Sequence, residues 1–123
     1  MGRDISLIDW NQVNSLKQTE HEDEMGLLRE LLKLFVAENE SRLDEIWEAV
    51  KTCDYDAINR AAHAISGSSA NLGGCCLAAT AAELEFAAES RADFVPWTEL
   101  AQRLRVDYIE TVDALERFIG GED

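Results

Sequence analysis

The 123-residue chain is expected to be all-α, an antiparallel up-and-down four-helix bundle with a short additional N-terminal helix. Three observations predict this. Apolar residues recur with the helical period in four long stretches between about Glu24 and Ile119. The single proline and the glycines, Gly67 apart, gather near the ends of those stretches, where they start or stop helices. Connections are short, which makes successive helices antiparallel neighbours, and no alternating strand pattern, internal repeat or low-complexity tract is present. One domain over 1–123 follows, with the bundle at about 24–119, long enough to bury a core without disulfide or metal staples.

Leu7, Ile8, Trp10, Val13 and Leu16 form one face of a short helix over about 5–16, opening near Asp4 or Ser6. Lys17 to Glu24 reads as a loop in which His21 is a solvated side chain and Asp23 caps the helix that follows. That helix runs from about Glu24 to Lys51 on a stripe of Met25, Leu28, Leu32, Phe35, Val36, Leu43, Ile46, Trp47 and Val50. Its first half has a second apolar side, Leu27, Leu31 and Leu34, for which the N-terminal helix with Trp10 and Leu16 is the available cover. Thr52-Cys53-Asp54 breaks the pattern, and Asp54 is placed to cap the free amides of the next helix, about Tyr55 to Ala70 or a little beyond. Asn71 and the Gly73-Gly74 pair, residues that readily take the left-handed conformation, close it. A helix over about Cys75 to Ser90 turns Leu77, Ala81, Leu84 and Ala88 inward and Glu83, Glu85 and Glu89 outward. Phe86 lies opposite that stripe, either under a loop or on a partner surface. Pro96 suits the first position of the last helix, which carries Trp97, Leu100, Leu104, Tyr108, Thr111, Leu115, Phe118 and Ile119 on one side and stops at Gly120-Gly121.

Eleven basic against 25 acidic residues give a formal charge of −14, which repels phosphate backbones and anionic lipid. Nucleic acid and membrane are therefore not expected as partners, and the acidic outer faces serve solubility. No basic segment leads into an apolar run, and no stretch approaches the roughly 20 apolar residues that cross a bilayer, so a cytoplasmic protein is the expectation. The odd count of three cysteines points to free thiols, and Cys53, Cys75, Cys76 and the two histidines lack metal-ligand spacing. No bound metal or cofactor is expected, and an acidic bundle of this size reads as a monomer.

The chemistry concentrates on His63. Asn59, His63, Gly67 and Ala70 fall on the side of their helix away from its apolar stripe, and Ala64 and Ser66 add no bulk. Gly67 costs about 1 kcal/mol relative to alanine in a helix interior, so a glycine there serves something other than the helix. An exposed imidazole offers a nucleophilic ring nitrogen at neutral pH, and phosphoryl transfer asks its carrier for little beyond that nitrogen presented in line. Other reactive arrangements are missing: no glycine-rich phosphate loop, no serine or cysteine nucleophile with a base, no paired catalytic carboxylates. A histidine with no evident partner residue suggests that its partner is another protein; the plainer reading is a surface histidine.

The run Ala62-His63-Ala64-Ile65-Ser66-Gly67-Ser68-Ser69-Ala70-Asn71-Leu72-Gly73 resembles the signature of histidine-containing phosphotransfer (HPt) domains, and the surroundings from about residue 7 to 118 agree, including Asp54, Asp56 and Leu84-Glu85. The resemblance implies a four-helix bundle that shuttles phosphoryl groups between aspartates of receiver domains in relays begun by a sensor histidine kinase, hybrid kinases included. It implies phosphorylation of His63, space for the receiver at Gly67, and Mg²⁺ held by the receiver rather than by this chain. One position departs: the family's lysine three residues after the histidine is Ser66. Arg60, three residues before His63, is either a substitute cation or a plain solvated arginine, and the hydroxyls of Ser66 and Ser68 are candidate donors. The function expected is a phosphorelay intermediate, a carrier rather than a turnover enzyme. The alternatives are a degenerate module that docks receivers without efficient transfer, and a structural helical adaptor.

Overall fold

The computed structural model describes residues 6–17, 23–91 and 95–121. Among them are five helices and no strand: α1 (Trp10–Ser15), α2 (Gly26–Thr52), α3 (Tyr55–Leu72), α4 (Cys75–Glu89) and α5 (Trp97–Ile119). Helices α2 to α5 pack in sequence and α5 closes back on α2, while α1 lies against α3. The inward stripes supply the core, where Leu28, Ile46, Ile58, Ile65, Leu84 and Leu104 are fully buried. Each such side chain contributes about 1.5–3 kcal/mol of transfer free energy. No helix among the described residues is long and apolar enough to cross a membrane.

Local chemistry sets the corners. The Asp54 carboxylate accepts from the Ala57 amide at 3.1 Å and starts α3 one residue after the αL residue Cys53 that ends α2. Gly73 ends α3 with φ +92°, whereas Gly74, at φ −82°, already leads into α4. The corner is tight because the Gly74 amide donates to the Ser69 carbonyl at 2.7 Å. Pro96 immediately precedes α5, one position earlier than the sequence predicts.

The N-terminal region differs from expectation. Helix α1 has six residues and begins at Trp10, since Asp9 is its cap, accepting from the Gln12 amide at 3.3 Å. The segment before it runs along the α3–α4 corner: the Asp9 amide donates to the Gly73 carbonyl at 2.7 Å, the Cys76 amide to the Leu7 carbonyl at 3.4 Å and the Cys75 thiol to the Ser6 carbonyl at 2.9 Å. Backbone groups engaged in this way are not available for a helical turn. The predicted positions 4 and 5 and the loop histidine His21 lie outside the described residues.

The N-terminal region covers the second apolar side of α2 only in part: Leu16 and Leu31 are half-buried and line one groove with Leu34. Trp10 instead meets Phe118 of α5 with ring centroids 5.1 Å apart, and Leu34 remains 54% exposed and Leu27 39%. Asp23 does not cap α2 either; its carboxylate accepts from the Met25 amide at 3.2 Å in the preceding turn, and α2 starts without a side-chain cap. Phe86 is 70% exposed, which removes the reading that a loop covers it. Among the described residues five polar ones are buried, Asn39 of α2, Ser69 of α3, Thr80 of α4, and Asp107 and Thr111 of α5; Asp107 accepts from the Thr80 hydroxyl at 2.6 Å.

Candidate functional site

Because Ala57, Ile58, Ala61, Ala62, Ile65, Ser69 and Leu72 are buried, the rotation of α3 about its axis is fixed and His63 is carried to the surface. Its side chain is 76% exposed. The ring is nevertheless held, since Nδ1 lies 2.7 Å from Oε2 of Glu85 on α4. An ionised carboxylate only accepts, so in the neutral ring Nδ1 carries the proton and Nε2 keeps its lone pair toward solvent.

Two further bonds join α3 to α4 beside the histidine. Asn59 Nδ2 donates to the Glu85 carbonyl at 3.1 Å, fixing the backbone of the residue that grips His63. The Ser66 hydroxyl donates to the Ala78 carbonyl at 3.1 Å. Where the related signature has a lysine, this chain therefore has a short side chain turned onto the neighbouring helix. Ser68 donates to the Ile65 carbonyl at 3.3 Å and accepts from Asn39 Nδ2 at 3.1 Å. Both hydroxyl protons are thus used inside the protein.

Gly67 is exposed, and a Cβ added there would meet nothing within 4 Å. Internal packing does not require this glycine, and the space over it is open to a partner. Ala64 is half-buried, Ala70 is exposed, and both keep the face low. Arg60 is exposed and makes no ion pair or hydrogen bond among the described residues. A shallow groove of about 160 Å³ adjoins this face on the α2 side, lined by Leu16, Leu31, Leu34 and Phe35 together with Ser68 and Asn71. The larger cleft of about 720 Å³, around Leu7, Trp10 and Phe118, includes no residue of α3 or α4 and lies away from the histidine.

Among the described residues no group of three or more acidic, histidine or cysteine side chains could hold a metal ion, and the cysteines are free. On the opposite wall of the bundle, burial together with the Glu40 carboxylate 3.4 Å away raises the Tyr108 hydroxyl to a pKa of about 12.

Sequence reasoning found the histidine and the open face; it read Glu85 as an outward acid and, with Leu84, as part of the resemblance, without pairing it with His63. Nothing in a one-dimensional pattern pairs positions 22 apart on different helices. Asn39 left a readable signal: it occupies the place in the α2 stripe between Phe35 and Leu43 where a hydrophobic residue would be expected.

The Hpt domain family pattern matches residues 30–118. Among solved structures, the chain is similar to histidine-containing phosphotransfer protein B (HptB) from Pseudomonas aeruginosa PAO1, with a TM-score of 0.79 and 27% sequence identity over 93% of this chain and 95% of that one. No curated protein matches the sequence.

Proposed function

The chain belongs to the Hpt domain family, and from that premise we propose that it relays phosphoryl groups, accepting one on His63 from a receiver-domain aspartate and passing it to another receiver. The observation that carries this reading is the 2.7 Å pairing of His63 Nδ1 with Glu85, which leaves Nε2 as the free nucleophile on an open face.

In the forward step the Nε2 lone pair attacks phosphorus, the N–P bond forms, and the P–O bond to the aspartate breaks, returning that carboxylate to the receiver. The ring then bears positive charge, which the Glu85 carboxylate offsets while retaining the Nδ1 hydrogen bond. The second transfer reverses these events toward a different aspartate. Mg²⁺ belongs to the receiver in this scheme, where it offsets charge on the transferring group. The chain acts as a carrier regenerated unchanged, a cytoplasmic monomer that binds no cofactor and is supplied by a sensor histidine kinase through receivers. The low surface at Ala64, Gly67 and Ala70, with the adjoining apolar groove, provides the docking area.

Incubation with a phosphorylated receiver and Mg²⁺, followed by phosphate mapping, tests the proposal. Label on His63, absent in His63→Gln, is the expected result. Receiver binding that survives His63→Gln with no label on the wild-type chain would establish the docking module instead, and absence of receiver affinity would leave a structural adaptor.

A further inference from the structure

Ten of the eleven lysines and arginines fall within the described residues, and seven of them are paired with a carboxylate. That is the expected state of cations in so acidic a protein. The three without a carboxylate partner among the described residues are Lys17, Arg42 and Arg60. Lys17 lies 5.8 Å from the Phe118 ring centroid, on the α1–α5 side. The other two flank the exposed face of α3. Arg60 stands one turn ahead of Ala64 on α3 itself. Arg42, half-buried on α2, is tied to α3 through Asn39: its Nη1 donates to Asn39 Oδ1 at 3.0 Å, and Asn39 Nδ2 donates to the hydroxyl of Ser68, the residue after Gly67, at 3.1 Å.

Asn39 is fully buried at a position where a leucine would suit the core better. A buried amide is costly unless its donors and acceptor are engaged, and here both ends are used, one on α3 and one on Arg42. The side chain therefore orients a guanidinium at the edge of the docking face. With its flexible stem held before any partner arrives, Arg42 loses less freedom on binding.

We propose that Arg42, oriented by Asn39, is a docking cation that together with Arg60 engages the anionic rim of a receiver's phosphorylation site, namely its phosphoryl group and the carboxylates that hold Mg²⁺. The proposal deepens the phosphocarrier reading and rests on it. Arg42 stands on α2 and Glu85 on α4, the two helices that flank α3, and Arg60 stands on α3 one turn before His63, so an anionic partner approaching His63 Nε2 meets positive charge as well as the carboxylate. The position left neutral at Ser66 is compensated from a neighbouring helix.

The test measures the rate of transfer from a phosphorylated receiver domain against receiver concentration at several ionic strengths. Arg42→Gln is expected to raise the half-saturating receiver concentration about fivefold, the scale of one exposed ion pair, with the maximal rate within about twofold and a flatter salt dependence. Arg42→Lys restores part of the loss, and Asn39→Ala moves half-saturation in the same direction. Since Asn39→Ala opens a cavity, its folding is checked by circular dichroism; the Arg42 variants decide the matter alone. Unchanged half-saturation and salt dependence in Arg42→Gln would overturn the inference while leaving the carrier reading intact. A wild-type chain that takes no label would overturn the carrier reading, and with it this one.

Discussion

Gly67 and Gly73 lie at the middle and the end of one helix and answer to different demands. At Gly73, φ is +92° and an added Cβ would sit 2.7 Å from Val13 Cγ2 and 3.1 Å from the Asp9 carbonyl. That glycine lets the chain turn and lets the N-terminal segment bond to the corner. At Gly67 the backbone is ordinary helix and an added Cβ would touch nothing. In the proposed carrier function, a glycine that the fold does not use, beside a histidine held by a carboxylate, belongs to the surface a receiver meets. The two faces of the protein can therefore be separated by experiment: one reads out as stability, the other as transfer.

The largest expected effect is on the structural side. Gly73→Ala should lower unfolding free energy by about 2–4 kcal/mol in urea titrations, combining left-handed strain with displacement of Val13. Transfer by the fraction still folded should be unchanged. Next is the buried phenol. Tyr108 ionises near 10.0 when unfolded and at about 12 when folded, so the unfolded state loses its proton first as pH rises. The stabilisation is complete below pH 10 and falls by about 2–3 kcal/mol between 10 and 12. Tyr108→Phe should remove that part of the pH dependence, and an identical alkaline slope in the variant would count against the assignment. On the partner side, Glu85→Gln should slow transfer about tenfold, the scale of a charge-assisted hydrogen bond, with thermal stability little altered because His63 is exposed. The smallest effect sharpens the contrast most. Gly67→Ala should stabilise the helix by about 0.5–1 kcal/mol in the same urea titration, and a loss of stability there would show that the glycine serves the fold after all.

Much of this was legible in the sequence. The four long helices follow from their apolar period, Asp54 from its place before α3, and His63 and Gly67 from a helix face with little bulk. What escaped depends on contacts between distant positions. The alternation of Leu7, Ile8 and Trp10 suits a helix as well as an extended segment, and only the Asp9 to Gly73 bond decides for the latter. The cover expected for Leu27 and Leu34 failed because Trp10 found Phe118 on α5. Glu85 and Asn39 acquire their roles from helix pairing, which fixes who faces whom only after the hairpins have closed.

The α3–α4 corner has a consequence for folding. His63 and Glu85 stand on the two arms of a helical hairpin joined by Gly73 and Gly74, with Asn59 and Ser66 bridging the same arms. The loop closed by that pairing spans 22 residues, a small entropic barrier, and the three bonds made by Asn59, His63 and Ser66 run between α3 and α4 alone. The reactive geometry is thus encoded by a local, low-contact-order unit. In hydrogen exchange, amides of α1 should open well before those between Asn59 and Glu85, so fraying at the N-terminus leaves the histidine and its carboxylate in register.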